Sequence, residues 1–210
     1  MYIKLDDLIS RHNLEINGVI HVGAHNAEEL DDYMRCGISR TVWIEANPNK
    51  IIGILNRVAI IPGQSLFCFA AHEQDGLVVD LHLTNNGESS SLFELHEHKD
   101  LYPHIQVVGK VSVPTRRIDS LFLQNGFDKS AFNFVNIDIQ GAELLALRGM
   151  ENILDSIDYI YAEINIGELY KDCCNVDEID EYLSKFNFKR IETKLADHHG
   201  TWGDALYIKA

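Results

Sequence analysis

The sequence predicts an α/β fold in which a largely parallel sheet is covered by helices on both faces. Three observations carry this. Residues 19 to 71 alternate short apolar runs with amphipathic stretches in a βαβαβ rhythm, and such units build parallel sheets. The run Val19-Ile20-His21-Val22 leads straight into Gly23, a strand followed by a tight turn. Three apolar runs end on an acid: Glu45, Asp138 and Glu163.

At 210 residues the chain reads as one domain, large enough for a three-layer core. A lead helix over residues 4–13, within a 1–17 lead segment, sets Leu5, Leu8 and Ile9 on one side. Val19, Ile20 and Val22 then form a strand apolar on both faces. Asn26 with Glu29 has the spacing of a capping box, Leu30, Tyr33 and Met34 form the helix stripe, and Gly37 stands at its C-cap. A second strand, Thr41-Val42-Trp43-Ile44, ends on Glu45, and Asn47-Pro48 opens a helix with Ile51, Ile52, Leu55 and Val58 inward. Pro62-Gly63 breaks that helix before a third strand over residues 65–71.

The middle departs from this rhythm. Residues 77–83 and 107–113 read as inserted strands within a 77–118 segment. Between them, Asn85 to Ser91 and Leu92 to His98 form a polar section that suits either plain turns or a substrate lid. Asp119 then caps a short helix through Leu121, Phe122 and Leu123, stopped by Gly126. A central strand, Phe132 to Gln140, runs into Gly141-Ala142-Glu143 and a helix through Leu144, Leu145 and Leu147. Tyr159 to Asn165 is another buried strand, and Asn175 with Glu178 caps a helix reaching Phe186. Strands at 188–193 and 205–208 close the chain, and the loop between them carries His198, His199 and Trp202.

Composition narrows the function. A formal net charge of −14 opposes a nucleic-acid partner, whose phosphates must be neutralised by Lys and Arg. No apolar run approaches the ~20 residues of a membrane span, and Met1 to Asn13 reads as a charged amphipathic helix rather than a leader. Cys36, Cys68, Cys173 and Cys174 have neither metal nor disulfide spacing, so a reducing cytoplasm is the expected setting. The histidines at 96, 98, 198 and 199 lack the i, i+4 spacing of helical zinc sites and are expected at the surface, with no resident metal. No Gly-x-Ser-x-Gly elbow or phosphate loop supports a hydrolase or NTPase.

Ligands of open α/β sheets bind beyond the carboxyl ends of the strands, where Glu45, Ala71-His72, Asp138 and Glu163 converge. A glycine turn followed about twenty residues on by an acid is a ribose-binding layout, though a packing turn would share it. Glu28, Glu29, Asp31 and Asp32 crowd the helix start and would repel a pyrophosphate. Ala27 also stands where a dinucleotide fingerprint has its last glycine. A cationic ligand with a ribose and no phosphate fits better, and S-adenosylmethionine is one.

The chain resembles the FkbM-type S-adenosylmethionine-dependent methyltransferases. The resemblance rests on Val22-Gly23-Ala24-His25, Trp43-Ile44-Glu45-Ala46-Asn47-Pro48, Ser89-Ser90-Ser91, Arg117-Ile118-Asp119-Ser120-Leu121, Asn133 through Glu143, and Trp202 through Tyr207, and covers residues 18 to 209. It implies a three-layer Rossmann-like methyltransferase sheet, mostly parallel with an antiparallel C-terminal strand. It also implies methyl transfer, usually to a hydroxyl oxygen of a small molecule or sugar. By position, Gly23 and Ala24 would lie against the methionine part of the cofactor, with His21, His25 and Ala46 beside it. Glu45 would bind the ribose, and Ala71-His72 would flank the adenine. Asp138 would sit at the sulfonium and orient or deprotonate the acceptor, with Glu163 as its nearest rival. Ser89, Ser90, Ser91, Gln140 and Trp202 would face the acceptor. His21 and Ala27 depart from the pattern, standing for an acid and a glycine. The lost acid at position 21 keeps open a non-catalytic cofactor-binding protein. The glycine turn with Glu45 leaves, more distantly, a nicotinamide-dependent oxidoreductase, against which the missing glycine and the acidic helix start count.

Overall fold

The computed structural model describes residue 1, residues 3–196 and residues 199–210. Seven strands form the main sheet: β1 (Val19–Val22), β2 (Thr41–Glu45), β3 (Gln64–Cys68), β7 (Phe134–Ile137), β8 (Tyr159–Asn165), β9 (Phe188–Leu195) and β10 (Trp202–Lys209). Their spatial order is β3-β2-β1-β7-β8-β10-β9, with β10 antiparallel to both its neighbours. The remaining pairings are parallel. The strand order reverses between β1 and β7, the kind of switch point at which open α/β sheets hold ligands.

Strand alternation sorts the core into two layers. Ile20, Val22, Val135, Ile137 and Ile160 face α5 (Ile118–Asn125), α6 (Glu143–Arg148) and α7 (Val176–Ser184). Val19, Trp43, Phe134, Tyr161 and Leu206 face α1 (Leu5–His12), α2 (Leu30–Arg35) and α3 (Ile51–Val58). The Asn175 and Glu178 capping box of α7 forms as expected and contributes about 1 kcal/mol. Gly126 closes α5 in a left-handed conformation.

Several local expectations are corrected. Helix α2 begins at Leu30 and has no capping box, because His25 and Ala27 both take positive φ and turn the chain once more before the helix. Met34 of its expected stripe is exposed. The Asn47 carbonyl and side chain accept from Lys50 and Asn49 N–H, holding a turn that delays α3 to Ile51. Ile54 and Val58 then face the sheet, while Ile52 and Leu55 point to solvent. Asp119 lies inside the first turn of α5 rather than capping it, pairing with Arg117 and accepting from Asn152.

The expected third strand divides. Phe69 N–H bonds the Glu45 carbonyl, after which β4 (Ala70–Ala71) leaves the main sheet. It pairs with β6 (Val107–Arg116), which in turn pairs with β5 (Val78–Thr84), so the inserted segment is a three-stranded sheet beside the end of β2. A short helix, α4 (His98–Leu101), interrupts the polar section between β5 and β6.

Candidate active site

The site begins where β1 and β7 lie side by side. Gly23 and Ala24 N–H donate to the Ile44 carbonyl, and Asp138 N–H to the Val22 carbonyl. Gly23 has φ +93°, and a Cβ there would lie 1.9 Å from the Asp138 carbonyl oxygen. Glycine is therefore required by both conformation and space.

Glu45 closes the end of β2. Its Oε2 accepts from His25 N–H (2.7 Å) and its Oε1 from Asn47 N–H (2.7 Å), which fix it while leaving acceptor capacity. Burial pushes this carboxyl up, and the two amides oppose that. Glu45 lines a cavity compartment of about 70 Å³ with apolar walls from Ala46, Ala71, Leu81, Leu92 and Ile139. A second compartment of about 430 Å³ lies past Gly23, within the range of small-molecule sites.

In the larger compartment the Gln140 side chain joins two carboxylates. Its Nε2 donates to Asp138 Oδ1 (2.7 Å) and to Glu163 Oε2 (2.6 Å). Its Oε1 accepts from the Tyr170 hydroxyl, and its main-chain carbonyl accepts from Ser91 Oγ (2.6 Å). Gln140 has φ +57°, a strained conformation held by these four contacts. Asp138 lies one residue beyond β7 and is exposed to the cavity, not buried in the strand as the sequence suggests. Its carboxylate bonds Gln140 and leaves α6 without a side-chain cap. Glu163 is buried, and burial together with the neighbouring Asp138 pushes it well above the ordinary carboxylate range.

Of the residues named from sequence, His21, Gly23, His25, Ser89, Asp138, Gln140, Glu163 and Trp202 line the larger compartment. Glu45, Ala46, Ala71 and Ser90 line the smaller. Three lie outside both. Ala24 is buried in the helical layer beneath the turn, Ser91 acts on Gln140 from behind, and His72 takes a hydrogen bond from Gln74 N–H. The Asn85–Ser91 loop borders both compartments. His98 is buried rather than at the surface, its ring packed against Tyr102 and Tyr170 at the cavity wall. His96 and His199 are exposed, and His198 lies outside the described residues.

Sequence reasoning leaves Glu143 without a role. Its Oε1 accepts from Ile139 and Gly141 N–H (3.1 and 3.0 Å), clasping the turn on both sides of Gln140. Burial, with Asp138 nearby, raises its carboxyl to about 7 from an ordinary 4.5. Between those values the folded chain keeps a proton that the unfolded chain releases, so this group removes stability as pH rises through the window. Glu143→Gln keeps the accepting oxygen and is therefore expected to gain stability relative to the parent between pH 5 and pH 8, as urea denaturation at the two pH values would show. A constant difference would contradict the burial account.

A mostly parallel sheet with one antiparallel strand, a glycine turn after β1 and an acid at the end of β2 together define the methyltransferase class of nucleoside-binding α/β folds. The chain belongs to the FkbM methyltransferase family, whose domain, described as "Methyltransferase FkbM domain", matches residues 21–190. The 2-O-methyltransferase NoeI of Sinorhizobium fredii is 28% identical over 176 residues, covering 80% of this chain and 71% of that protein. Solved structures share the fold at low identity. Magnesium protoporphyrin IX methyltransferase from Synechocystis, with bound S-adenosylmethionine, has TM-score 0.53 at 8% identity, over 98% of this chain and 76% of that one. A putative RNA methyltransferase of Pyrococcus horikoshii has TM-score 0.51 at 10% identity, over 98% and 81%. Family membership and cofactor-bound neighbours of this kind imply S-adenosylmethionine as the cofactor. Among the described residues no His, Cys, Asp and Glu group of three or more is placed to hold a metal, and no helix is long and apolar enough to cross a membrane.

Proposed function

We propose that this chain transfers a methyl group from S-adenosylmethionine to a hydroxyl of a small molecule or sugar, with Asp138 as the base. The observation that carries this is the Gln140 amide spanning Asp138 and Glu163 beside the glycine turn. The residues present fit the cofactor. Glu45 keeps lone pairs for ribose hydroxyls, the apolar compartment suits an adenine, and the carboxylates around Gly23 suit a cation.

The cofactor supplies an electrophilic methyl group on a sulfonium. The protein aligns the acceptor oxygen with it and removes the hydroxyl proton. Two carboxyls this close do not ionise together readily, and burial makes Glu163 the one that keeps its proton. Asp138, exposed to the cavity, is then the group that takes the acceptor's proton. Gln140 holds both in place.

The acidic cavity and the net charge of −14 support a non-nucleic acceptor. The test uses methyl-labelled S-adenosylmethionine with hydroxyl-bearing small molecules, sugars and RNA. Label in a base-stable ether is the expected result. Label in RNA, or on nitrogen, would contradict the reading.

A further inference from the structure

We propose that Glu29 holds the α-ammonium of the bound cofactor, an assignment that rests on the methyl-transfer reading above. The amino-acid end of S-adenosylmethionine carries an ammonium, and taking it out of water requires a negative partner. Six carboxyls line the larger compartment; four of them are engaged elsewhere and a fifth is exposed to solvent. Asp138 and Glu163 share the Gln140 amide. Glu28 binds the His25 ring and Asn26 N–H. Asp204 accepts from the Tyr161 hydroxyl, and Glu88 is exposed on the covering loop.

Glu29 is different. Its side chain is 18% exposed, and its Oε1 stands 3.2 Å from the α-ammonium of Met1. The Met1 nitrogen thus stands against this carboxylate inside the cavity, which shows that a nitrogen donor can reach Glu29 there. With cofactor bound, the ligand's ammonium takes that place.

His21 explains why the charge must come from Glu29. Its Nδ1 faces the Tyr33 hydroxyl (2.8 Å) and Asn136 Nδ2 (3.4 Å). Asn136 Nδ2 also donates to the Tyr33 oxygen (2.9 Å), which leaves the Tyr33 proton for His21 Nδ1. The imidazole then carries its hydrogen on Nε2, 3.9 Å from Glu29 Oε2. Position 21 thus supplies an N–H rather than a negative charge, and Glu29 supplies the carboxylate.

The test is calorimetric titration of wild type and Glu29→Gln with S-adenosylhomocysteine and with 5′-methylthioadenosine, which lacks the amino-acid end. Glu29→Gln is expected to weaken S-adenosylhomocysteine by about 10- to 100-fold, the loss of one charge-assisted contact. Affinity for 5′-methylthioadenosine should stay within about twofold, which also reports an intact site. Equal weakening of both ligands, or unchanged S-adenosylhomocysteine binding, would overturn the assignment. If wild type binds neither ligand, the methyl-transfer reading itself fails, and the assignment with it.

Discussion

Asp138→Asn is expected to lower kcat for methyl transfer by about 10²- to 10⁴-fold, the usual contribution of a positioned base. The amide oxygen of Asn still accepts from Gln140 Nε2, so the 138–141 turn and the proposed cofactor contacts at Gly23 and Glu45 should survive. S-adenosylhomocysteine affinity is therefore expected to stay within about threefold, since no hydrogen bond is lost. The variant also carries an independent signature. Burial is the main cause of the raised Glu163 carboxyl and Asp138 the next, so losing the Asp138 charge should move the Glu163 titration downward. Carboxyl-detected NMR would follow that shift without any acceptor. Full turnover in Asp138→Asn would remove it as the base and leave Glu163 as the candidate.

Gly23→Ala should have the largest effect on the fold. Two costs combine there: a non-glycine residue at φ +93°, and a Cβ 1.9 Å from the Asp138 carbonyl oxygen. The clash can be relieved only by parting the ends of β1 and β7, where Asp138 N–H bonds Val22. The expected loss is about 3–5 kcal/mol in urea denaturation, among the larger values for a point change. Gly37→Ala separates the two causes. Gly37 also has positive φ, +78°, but nothing lies within 4 Å of its Cβ position. It should cost only the conformational part, about 1–2 kcal/mol. Equal losses in the two variants would mean that contact with Asp138 is unimportant.

The strands were legible because residues such as Val19, Ile44, Val135 and Ile160 are apolar for a local reason, burial between two helical layers. Glycine turns and the α7 cap were legible for the same kind of reason, since each is decided within a few residues. Helix starts were less so. Nothing local in His25-Asn26-Ala27 announces two residues with positive φ, which only the surrounding contacts impose. The division of residues 64–71 depends on β6, more than thirty residues away, which no periodicity reveals.

The site followed the same rule. Glu45, Asp138 and Glu163 were readable as acids at strand ends, a position with chemical meaning. Tyr170 and His98 reach the cavity through packing between distant segments, and their surroundings in sequence give no sign of it, whereas Glu29 stood out only as one of several acids at the helix start. Glu143 lies inside the Asp-Ile-Gln-Gly-Ala-Glu block, but its clasp on Ile139 and Gly141 arises only when the turn folds back on the helix start.

Capture of S-adenosylmethionine by the turn after β1 and the acid at the end of β2 is the proposal on which the others depend. Its most direct test is calorimetric titration of the wild type and Glu45→Ala with S-adenosylhomocysteine, with NADH alongside. Saturable binding of S-adenosylhomocysteine, weakened by about 1–3 kcal/mol in Glu45→Ala and absent for NADH, is the predicted result. Binding of NADH alone, or S-adenosylhomocysteine affinity indifferent to Glu45, would contradict it.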